Sequence, residues 1–361
     1  MKIINKIAYI IYWNNDNENG VLKKILDSIK IWQEFNLECT LFILTRNESF
    51  SLESYPINKI IYRTFYFSTQ FNRNRSFTLL FKEVQKYNPD IIYYRYQQFV
   101  FSYLNLSKKF PTIIEVNSDD TKEKIISSIS SHLYNLATRN LVLKNAKGFI
   151  YVSEELSKKT IFSKFNKPQA VIGNGIDLER IHRLKPVYNE TPKLVYIGSD
   201  NQPWQGIDKI MTMANCFPKW EFNIIGSSSF DKSKQMPNVH LLGHLRYEDY
   251  IKVFSKSDCA IGALALHRIG IEERSTLKML EYVAHGLPVI CAYKDTNFIE
   301  SKGFILKLEN KEKNIRSNIN IIESFVLSWM GKRVARNEIQ NLDAKNVEKK
   351  RLDFFQSLIE V

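Results

Sequence analysis

A chain of 361 residues with 44% hydrophobic and 13% aromatic content is long enough for two ordinary domains and too apolar to remain disordered. Its net charge of +13 is uneven: residues 1–185 hold 27 Lys and Arg against 17 Asp and Glu, whereas residues 186–361 hold 24 against 21. The first half is therefore expected to attract something anionic, the competing explanation being a generic solubilising charge.

Cys39, Cys216, Cys259 and Cys291 show no CxxC spacing, and the start MKIINKIAYIIYW lacks a cleavage pattern, so a reduced, cytoplasmic protein without a structural zinc is expected. The longest apolar runs, six or seven residues, have strand length and fall short of a membrane span.

Apolar runs alternate with helical periodicity along the chain, the pattern of parallel sheets covered by helices. Strands are expected at 6–13, 39–45, 59–65, 90–95, 112–116 and 148–153, with helices at 21–35, 76–87 and 121–146. After the polar stretch DLERIHRLKPVYNETPK (177–193), the series restarts with strands at 194–199, 221–227, 239–243, 259–264 and 287–293. The fold class is α/β with two doubly wound, Rossmann-like domains facing a central cleft, ligands lying outside the carboxyl ends of the strands. The expected boundaries are 1–176 for a first domain, 177–192 for a linker and 193–331 for a second domain, with a charged helical tail at 332–361.

The segment IEERSTLKMLEYVAHGLPVI (271–290) carries the most chemistry. Ser275 or Thr276 is positioned to cap a helix over 277–285, Gly286 supplies a left-handed stop and Pro288 forbids continuation. The helical wheel puts Leu277, Met279, Leu280, Val283 and Ala284 on one side and Lys278, Glu281, Tyr282 and His285 on the other. Two readings remain open: a surface ion pair between Lys278 and Glu281, or a ligand site. In the second, amides around Thr276 and Leu277, backed by the helix dipole and Lys278, hold phosphate while Glu281 accepts sugar hydroxyls.

This segment and several others resemble the retaining family 4 glycosyltransferases of the GT-B fold. Glu273 and Glu281, with seven residues between them, match that family's pair of glutamates; VIGNGIDLER (171–180) resembles its NG-I-D segment. LVYIGSDNQPWQGIDKI (194–210) resembles the first strand, loop and helix of its nucleotide-binding domain, and HLLGHLRYEDYIKVFSKSDCAIGAL (240–264) the stretch that cradles the base.

The resemblance implies a retaining, metal-independent, hexosyl-type transferase using a UDP- or GDP-sugar, without a further cofactor; 1–176 would bind the acceptor, 193–331 the nucleotide-sugar, and the tail at 332–361 would cross back onto the first domain. Glu273 would touch the donor sugar, Glu281 the ribose, and Thr276, Leu277 and Lys278 the departing diphosphate. Further donor contacts would come from Gly198, Ser199, Gln205, Gly206 and Ser275, with Ile225 and Leu245 near the base and His267 near the sugar. The loop SDNQPWQG lacks the basic residues that family members commonly carry, so Arg268 or Arg274 is expected to replace them or to sit in a solvated loop.

In the first domain, Gly20 resembles the family's glycine loop, its alternative being a plain strand-to-helix turn. Arg95, Glu115 and Asn117 follow strand ends, Glu115 being the candidate for orienting an acceptor hydroxyl. The SDD run at 118–120 superficially matches a metal motif of another glycosyltransferase fold, a reading set aside because GT-B chemistry uses amides and cations.

The expected acceptor is a glycan or lipid-linked glycan of capsule, lipopolysaccharide or exopolysaccharide synthesis, and no nucleic acid is expected. The stretch 71–87 reads either as a surface for anionic membrane or as a core-facing helix with a basic outer edge. Alternative activities are a sugar-nucleotide epimerase or hydrolase, and a non-catalytic scaffold.

Overall fold

A computed structural model describes residues 3–14, 20–48, 50, 52, 60–119, 129–199, 202–226 and 236–359. The expected helix start at 121–128, most of the loop before Gly20 and positions 200–201 lie outside the described residues. The chain divides into two compact units, Met1–Gly173 with Ala344–Val361, and Asn174–Asp343.

The first unit runs β1 (Lys6–Trp13), α1 (Gly20–Glu34), β2 (Glu38–Thr45), β3 (Ile61–Tyr66), α2 (Gln70–Tyr87), β4 (Ile91–Arg95), α3 (Ser102–Lys109) and β5 (Thr112–Val116). It continues through α4 (Ile129–Lys144), β6 (Gly148–Tyr151), α5 (Glu154–Lys158), α6 (Thr160–Ser163) and β7 (Gln169–Val171). Seven parallel strands lie in the order β3-β2-β1-β4-β5-β6-β7. Alternate residues of β1 feed two cores: Ala8 and Ile10 pack on one face, and Ile7, Tyr9, Ile11 and Trp13 on the other. Burial on both faces explains why the central strands read as continuous apolar runs.

The second unit runs β8 (Lys193–Ile197), α7 (Ile207–Cys216), β9 (Glu221–Ile225), β10 (Val239–Gly243), α8 (Tyr247–Lys256), β11 (Cys259–Ile261), β12 (Glu273–Arg274) and α9 (Leu277–Ala284). It ends with β13 (Val289–Cys291), β14 (Lys294–Asp295), β15 (Ile305–Lys307) and α10 (Ile319–Trp329). Its main sheet is parallel with order β10-β9-β8-β11-β13-β15, and β12 pairs with β14 separately.

Two expected boundaries move. Residues 177–192, expected as a linker, belong to the second unit: Ile181 joins its core, Leu184 N–H donates to His285 O, and Arg183 donates to the carbonyls of Val334 and Arg333. Within the tail expected at 332–361, the long helix is confined to α11 (Ala344–Ser357), and it belongs to the first unit, in line with the expected return of the tail to the first domain. The α2 helix starts one turn and a half before the expected residue 76, because Thr69 caps it by accepting from Asn72 N–H.

A buried charge network ties α11 down. Glu348 accepts from Ser28 Oγ (3.0 Å), Trp32 Nε1 (2.8 Å) and Arg351 Nε (2.9 Å), and Arg351 also donates to the Tyr93 hydroxyl at 2.7 Å. Removing one partner of such a pair strands the other in a medium that cannot hydrate it. Arg351→Leu should therefore destabilise the first unit by about 3–5 kcal/mol. Lys345→Ala, which removes an exposed pair with Glu34, should cost less than about 1 kcal/mol. Equilibrium urea unfolding of both variants tests the contrast.

Candidate functional site

In the second unit the strand order reverses between β8 and β11, and a doubly wound sheet opens a crevice at the carboxyl ends of such a pair. The backbone there is crowded. Gly198 N–H donates to Ile225 O (3.0 Å), and Gly226, at φ 86°, donates to Gly243 O (2.7 Å). A Cβ at Gly226 would lie 2.2 Å from Gly198 O, so a side chain there would push the β8 loop out of place. The loop then makes a short 3-10 turn, Pro203–Gln205, and Gly206, left-handed at φ 80°, starts α7.

Helix α9 meets this crevice. Thr276 is its cap, its hydroxyl accepting from Met279 N–H at 3.3 Å, and Gly286 makes the left-handed stop at φ 88°. Ser275, the other candidate cap, is buried and spent otherwise: its hydroxyl accepts from Asn174 N–H and Asn297 Nδ2, both at 2.9 Å. Asn174 Nδ2 also donates to Ser275 O, which pins the NGID segment to the start of α9.

The wheel's polar side is not a solvated surface. Tyr282 and His285 are buried, the Tyr282 hydroxyl accepting from Ile197 N–H at 2.7 Å and His285 Nδ1 lying 3.1 Å from His182 O. Lys278 and Glu281 do not form the ion pair that was one reading of the helix: Lys278 turns to the β8 loop, while Glu281 accepts from the Tyr250 hydroxyl.

Lys278 holds the centre of the site. Its ammonium donates to Ile197 O (3.1 Å) and Gln205 Oε1 (2.6 Å) and lies 4.3 Å from the centre of the Tyr196 ring. Burial, and after it the nearby Arg274 guanidinium, push its pKa down to about 7. Among the described residues neither Lys278 nor Arg274 pairs with a carboxylate. Two adjacent cations without a counter-ion, at the amino end of a helix whose first amides have no intrahelical acceptor, form a place for an anion. The Thr276 amide is not among the open ones, because it hydrogen-bonds the Asp295 carboxylate; Leu277 and Lys278 supply the next two amides.

Glu273 is buried on β12, its Oε2 3.8 Å from Lys294 Nζ on β14. Gln205 is held by Gln202 (2.8 Å) for its contact with Lys278. Ser199 is exposed on the loop, Ile225 ends β9 in the core, and Leu245 is half-buried after β10.

Arg268 and His267 are already occupied. Arg268 donates to both oxygens of Asp208 (2.9 and 2.7 Å), to Pro203 O and to Glu312. His267 Nε2 meets Glu312 Oε2 at 2.8 Å. Of the two arginines expected to replace the missing loop charge, Arg268 is thus neutralised by carboxylates, and Lys278 with Arg274 provides the cationic character.

The first unit contradicts the role expected for Glu115. It is buried on β5, with Oε1 3.2 Å from Lys24 Nζ and Oε2 accepting from the Tyr9 hydroxyl (2.9 Å) and Arg95 (3.2 Å). Burial alone would raise its pKa, but Lys24, Arg95 and Arg351 reverse this and hold the carboxyl well below the usual range. A carboxylate so tightly held is a poor base and serves as a counter-ion, which also occupies Arg95. Asn117 stays available, its Nδ2 buried without a partner among the described residues. Asp119 of the SDD run pairs with Lys159 at 2.9 Å, and Gly20 opens α1.

Several contributors escaped the sequence reading: Tyr196 under the Lys278 ammonium, Tyr250 on Glu281, and Asp295 on the Thr276 amide. Tyr196 sits inside the quoted LVYIGS strand, yet an aromatic in a buried strand reads as core; Tyr250 and Asp295 carry no spacing signal.

No protein-family model and no curated protein sequence matches the chain. Solved structures do. The lipopolysaccharide outer core galactosyltransferase WaaB, in its apo form, matches with TM-score 0.70 over 98% of this chain and 99% of that one at 13% identity. Sucrose-phosphate synthase from Thermosynechococcus elongatus gives 0.69 over 99% of both chains at 14% identity. Anabaena Alr3699/HepE in complex with UDP-glucose gives 0.68 over 98% and 99% at 14% identity. The chain has the GT-B fold. At these identities the likeness extends to the fold and not to the chemistry.

The anion site has a pH signature. Lys278 titrates near 7 when the site is empty, and an anion favours its protonated form, so binding takes up a proton and weakens as pH rises. Pyrophosphate affinity measured by calorimetry should fall about tenfold between roughly pH 6.5 and 8.5. Lys278→Met should bind more weakly at pH 6.5 and lose that fall.

Proposed function

We propose that the chain is a retaining glycosyltransferase of the family 4 type that moves a hexosyl unit from a UDP- or GDP-sugar to a glycan or lipid-linked glycan. The observation that carries this reading is the Lys278 ammonium, buried beside Arg274 at the amino end of α9 without a carboxylate partner among the described residues. A departing nucleoside diphosphate is the charge such a pocket stabilises, and stabilising it where water is excluded is commonly the largest catalytic contribution. No metal is required of this arrangement, since Lys278, Arg274 and the helix amides supply the positive potential.

Glu281, whose carboxylate already accepts from Tyr250, is oriented for ribose hydroxyls one turn beyond the phosphates. Glu273 precedes the helix and takes the donor sugar near its reacting carbon. HepE, named in complex with UDP-glucose, supports a nucleotide-sugar as the ligand class, and WaaB, named as a lipopolysaccharide galactosyltransferase, supports surface-polysaccharide assembly as the setting. The acceptor side is assigned to the first unit, with Gly20 and Asn117 as its residues.

Thermal stabilisation by a panel of nucleotide-sugars tests the donor class, and turnover without acceptor would mark a hydrolase or epimerase instead. Glu273→Ala should abolish transfer while leaving UDP or GDP affinity within about twofold, whereas Glu281→Ala should weaken nucleotide binding itself by roughly tenfold. Identical behaviour of the two variants would remove this division of roles. Arg274→Ala should lower turnover at saturating donor.

Among the described residues no helix is long and apolar enough to cross a membrane. A peripheral position on an anionic membrane is part of the proposal, and its support has moved from α2 to α4. The α2 helix buries Phe77, Leu80 and Val84, and its Arg73 is taken up by Gln97 and the Gln98 carbonyl. On α4, Ile129, Leu133, Leu136 and Leu141 are exposed along one outward stripe that ends at Lys144. Apolar side chains flanked by positive charge suit an anionic lipid surface. The protein should co-sediment with vesicles containing phosphatidylglycerol more than with neutral ones, and Leu133→Glu with Leu136→Glu should abolish the difference.

A further inference from the structure

The turn after β13 holds two buried polar atoms that have no hydrogen-bond partner among the described residues. Asp295 is 4% exposed; its Oδ1 accepts from Asn297 N–H (3.0 Å) and Asn297 Nδ2 (3.1 Å), and the carboxylate also takes the Thr276 amide. Its Oδ2 is buried with no partner among the described residues, and so is Oγ1 of the next residue, Thr296. Buried polar atoms are nearly always hydrogen-bonded, and a carboxylate oxygen left without a donor is costly enough that two adjacent orphans call for a ligand.

Their location narrows what that ligand is. The turn is riveted to the segment that carries Glu273: in the parallel pair β12–β14, Glu273 faces Lys294 and Arg274 faces Asp295. Lys294 N–H donates to Glu272 O (2.9 Å) and Thr296 N–H to Arg274 O (3.3 Å). Asp295 therefore sits at the amino end of α9, next to the residue assigned to the donor sugar. At neutral pH a phosphate ester offers acceptors only, and the orphaned carboxylate oxygen, itself an acceptor, needs a donor. A sugar ring offers hydroxyl donors at the spacing of neighbouring acceptors.

We propose that Asp295 is a donor-sugar-binding residue, its Oδ2 accepting a hydrogen bond from a hydroxyl of the transferred sugar, with Thr296 Oγ1 beside it. This rests on the nucleotide-sugar reading above and extends it: Glu273 and Asp295 form a two-carboxylate grip on the sugar, separate from the cationic grip of Lys278 and Arg274 on the phosphates. A site built to accept from a particular hydroxyl rejects a sugar that lacks it, so Asp295 also contributes to donor choice.

The charged surroundings give the contact a measurable proton. Burial raises the Asp295 carboxyl to about 7, with Glu273 pushing the same way and the amide donors of Thr276 and Asn297 opposing. The other ionisable groups facing it are Tyr293 and Cys291, both raised by burial, with Arg274 and Lys294 on the paired strands. A hydroxyl that donates to the ionised carboxylate lowers its pKa, so sugar binding releases a proton near pH 7, whereas diphosphate binding at Lys278 takes one up.

Calorimetry of UDP, and of the UDP- or GDP-sugar that stabilises the protein most, at pH 7 in two buffers of different ionisation enthalpy reads both effects. The sugar nucleotide should take up fewer protons than its parent nucleotide, by up to about half a proton. In Asp295→Asn that difference should vanish and the sugar nucleotide should lose about ten- to a hundredfold in affinity, while the parent nucleotide changes by less than about twofold. Equal proton counts for the two ligands in the unsubstituted protein, or equal weakening of both in the variant, would overturn the assignment in favour of a purely structural Asp295. Should the variant not fold, the proton difference in the unsubstituted protein decides alone. Failure of every nucleotide and nucleotide-sugar to bind would overturn the functional reading first, and this one with it.

Discussion

A buried ammonium without a carboxylate is an unfavourable arrangement, and the second unit is organised around holding one. Lys278 is kept in place by the Ile197 carbonyl, the Gln205 amide oxygen and the face of Tyr196, none of which carries a full charge. These partners preserve the positive potential that a carboxylate would cancel. Each comes from a different local feature: a strand end, a 3-10 turn and a core aromatic. They meet only because the parallel order β10-β9-β8-β11-β13-β15 delivers the end of β8 to the amino end of α9.

The first unit uses buried charge in the opposite way. Glu115 is enclosed by Lys24, Arg95 and Tyr9, and Glu348 by Arg351, Ser28 and Trp32, so these two carboxylates are paired and hydrogen-bonded. Paired buried ions add little net stability, yet they penalise any arrangement in which one partner is displaced. Here they specify where α11 packs against α1 and β4. The uncompensated Lys278 of one unit and the paired Glu115 and Glu348 of the other show buried charge used in two ways.

Close backbone approach is the second constraint on the site. Gly226 and Gly198 touch where a methyl group would not fit, and this lets the β8 loop fold back towards Gln205 and Lys278. The Tyr282 hydroxyl completes the strand end by accepting Ile197 N–H, a bond that leaves the Ile197 carbonyl to Lys278. The helix that presents the cation thus also repairs the strand that receives it.

Much of this was legible in the residue order. Alternating apolar runs announced two doubly wound sheets, and the cap at Thr276 and the stop at Gly286 bounded α9, because propensity, capping and turn geometry are local. The pair Glu273 and Glu281 with Lys278 singled out this segment through the resemblance, and Lys278 lies there beside Arg274. What the wheel showed as a polar arc became wholly or half buried on meeting β8 and α8, and Glu115, expected to orient an acceptor hydroxyl, became a counter-ion. Arg268 was neutralised by Asp208 and Glu312, residues 60 and 44 positions away. Asp295 acquired its orphaned oxygen only through the pairing of β12 with β14. The sequence by itself determined most of the elements and the segment in which Lys278 and its neighbours gather; the tertiary structure decided which charges are spent on one another and which are not. Burial and pairing depend on contacts between distant residues, and these do not exist until the sheets have formed.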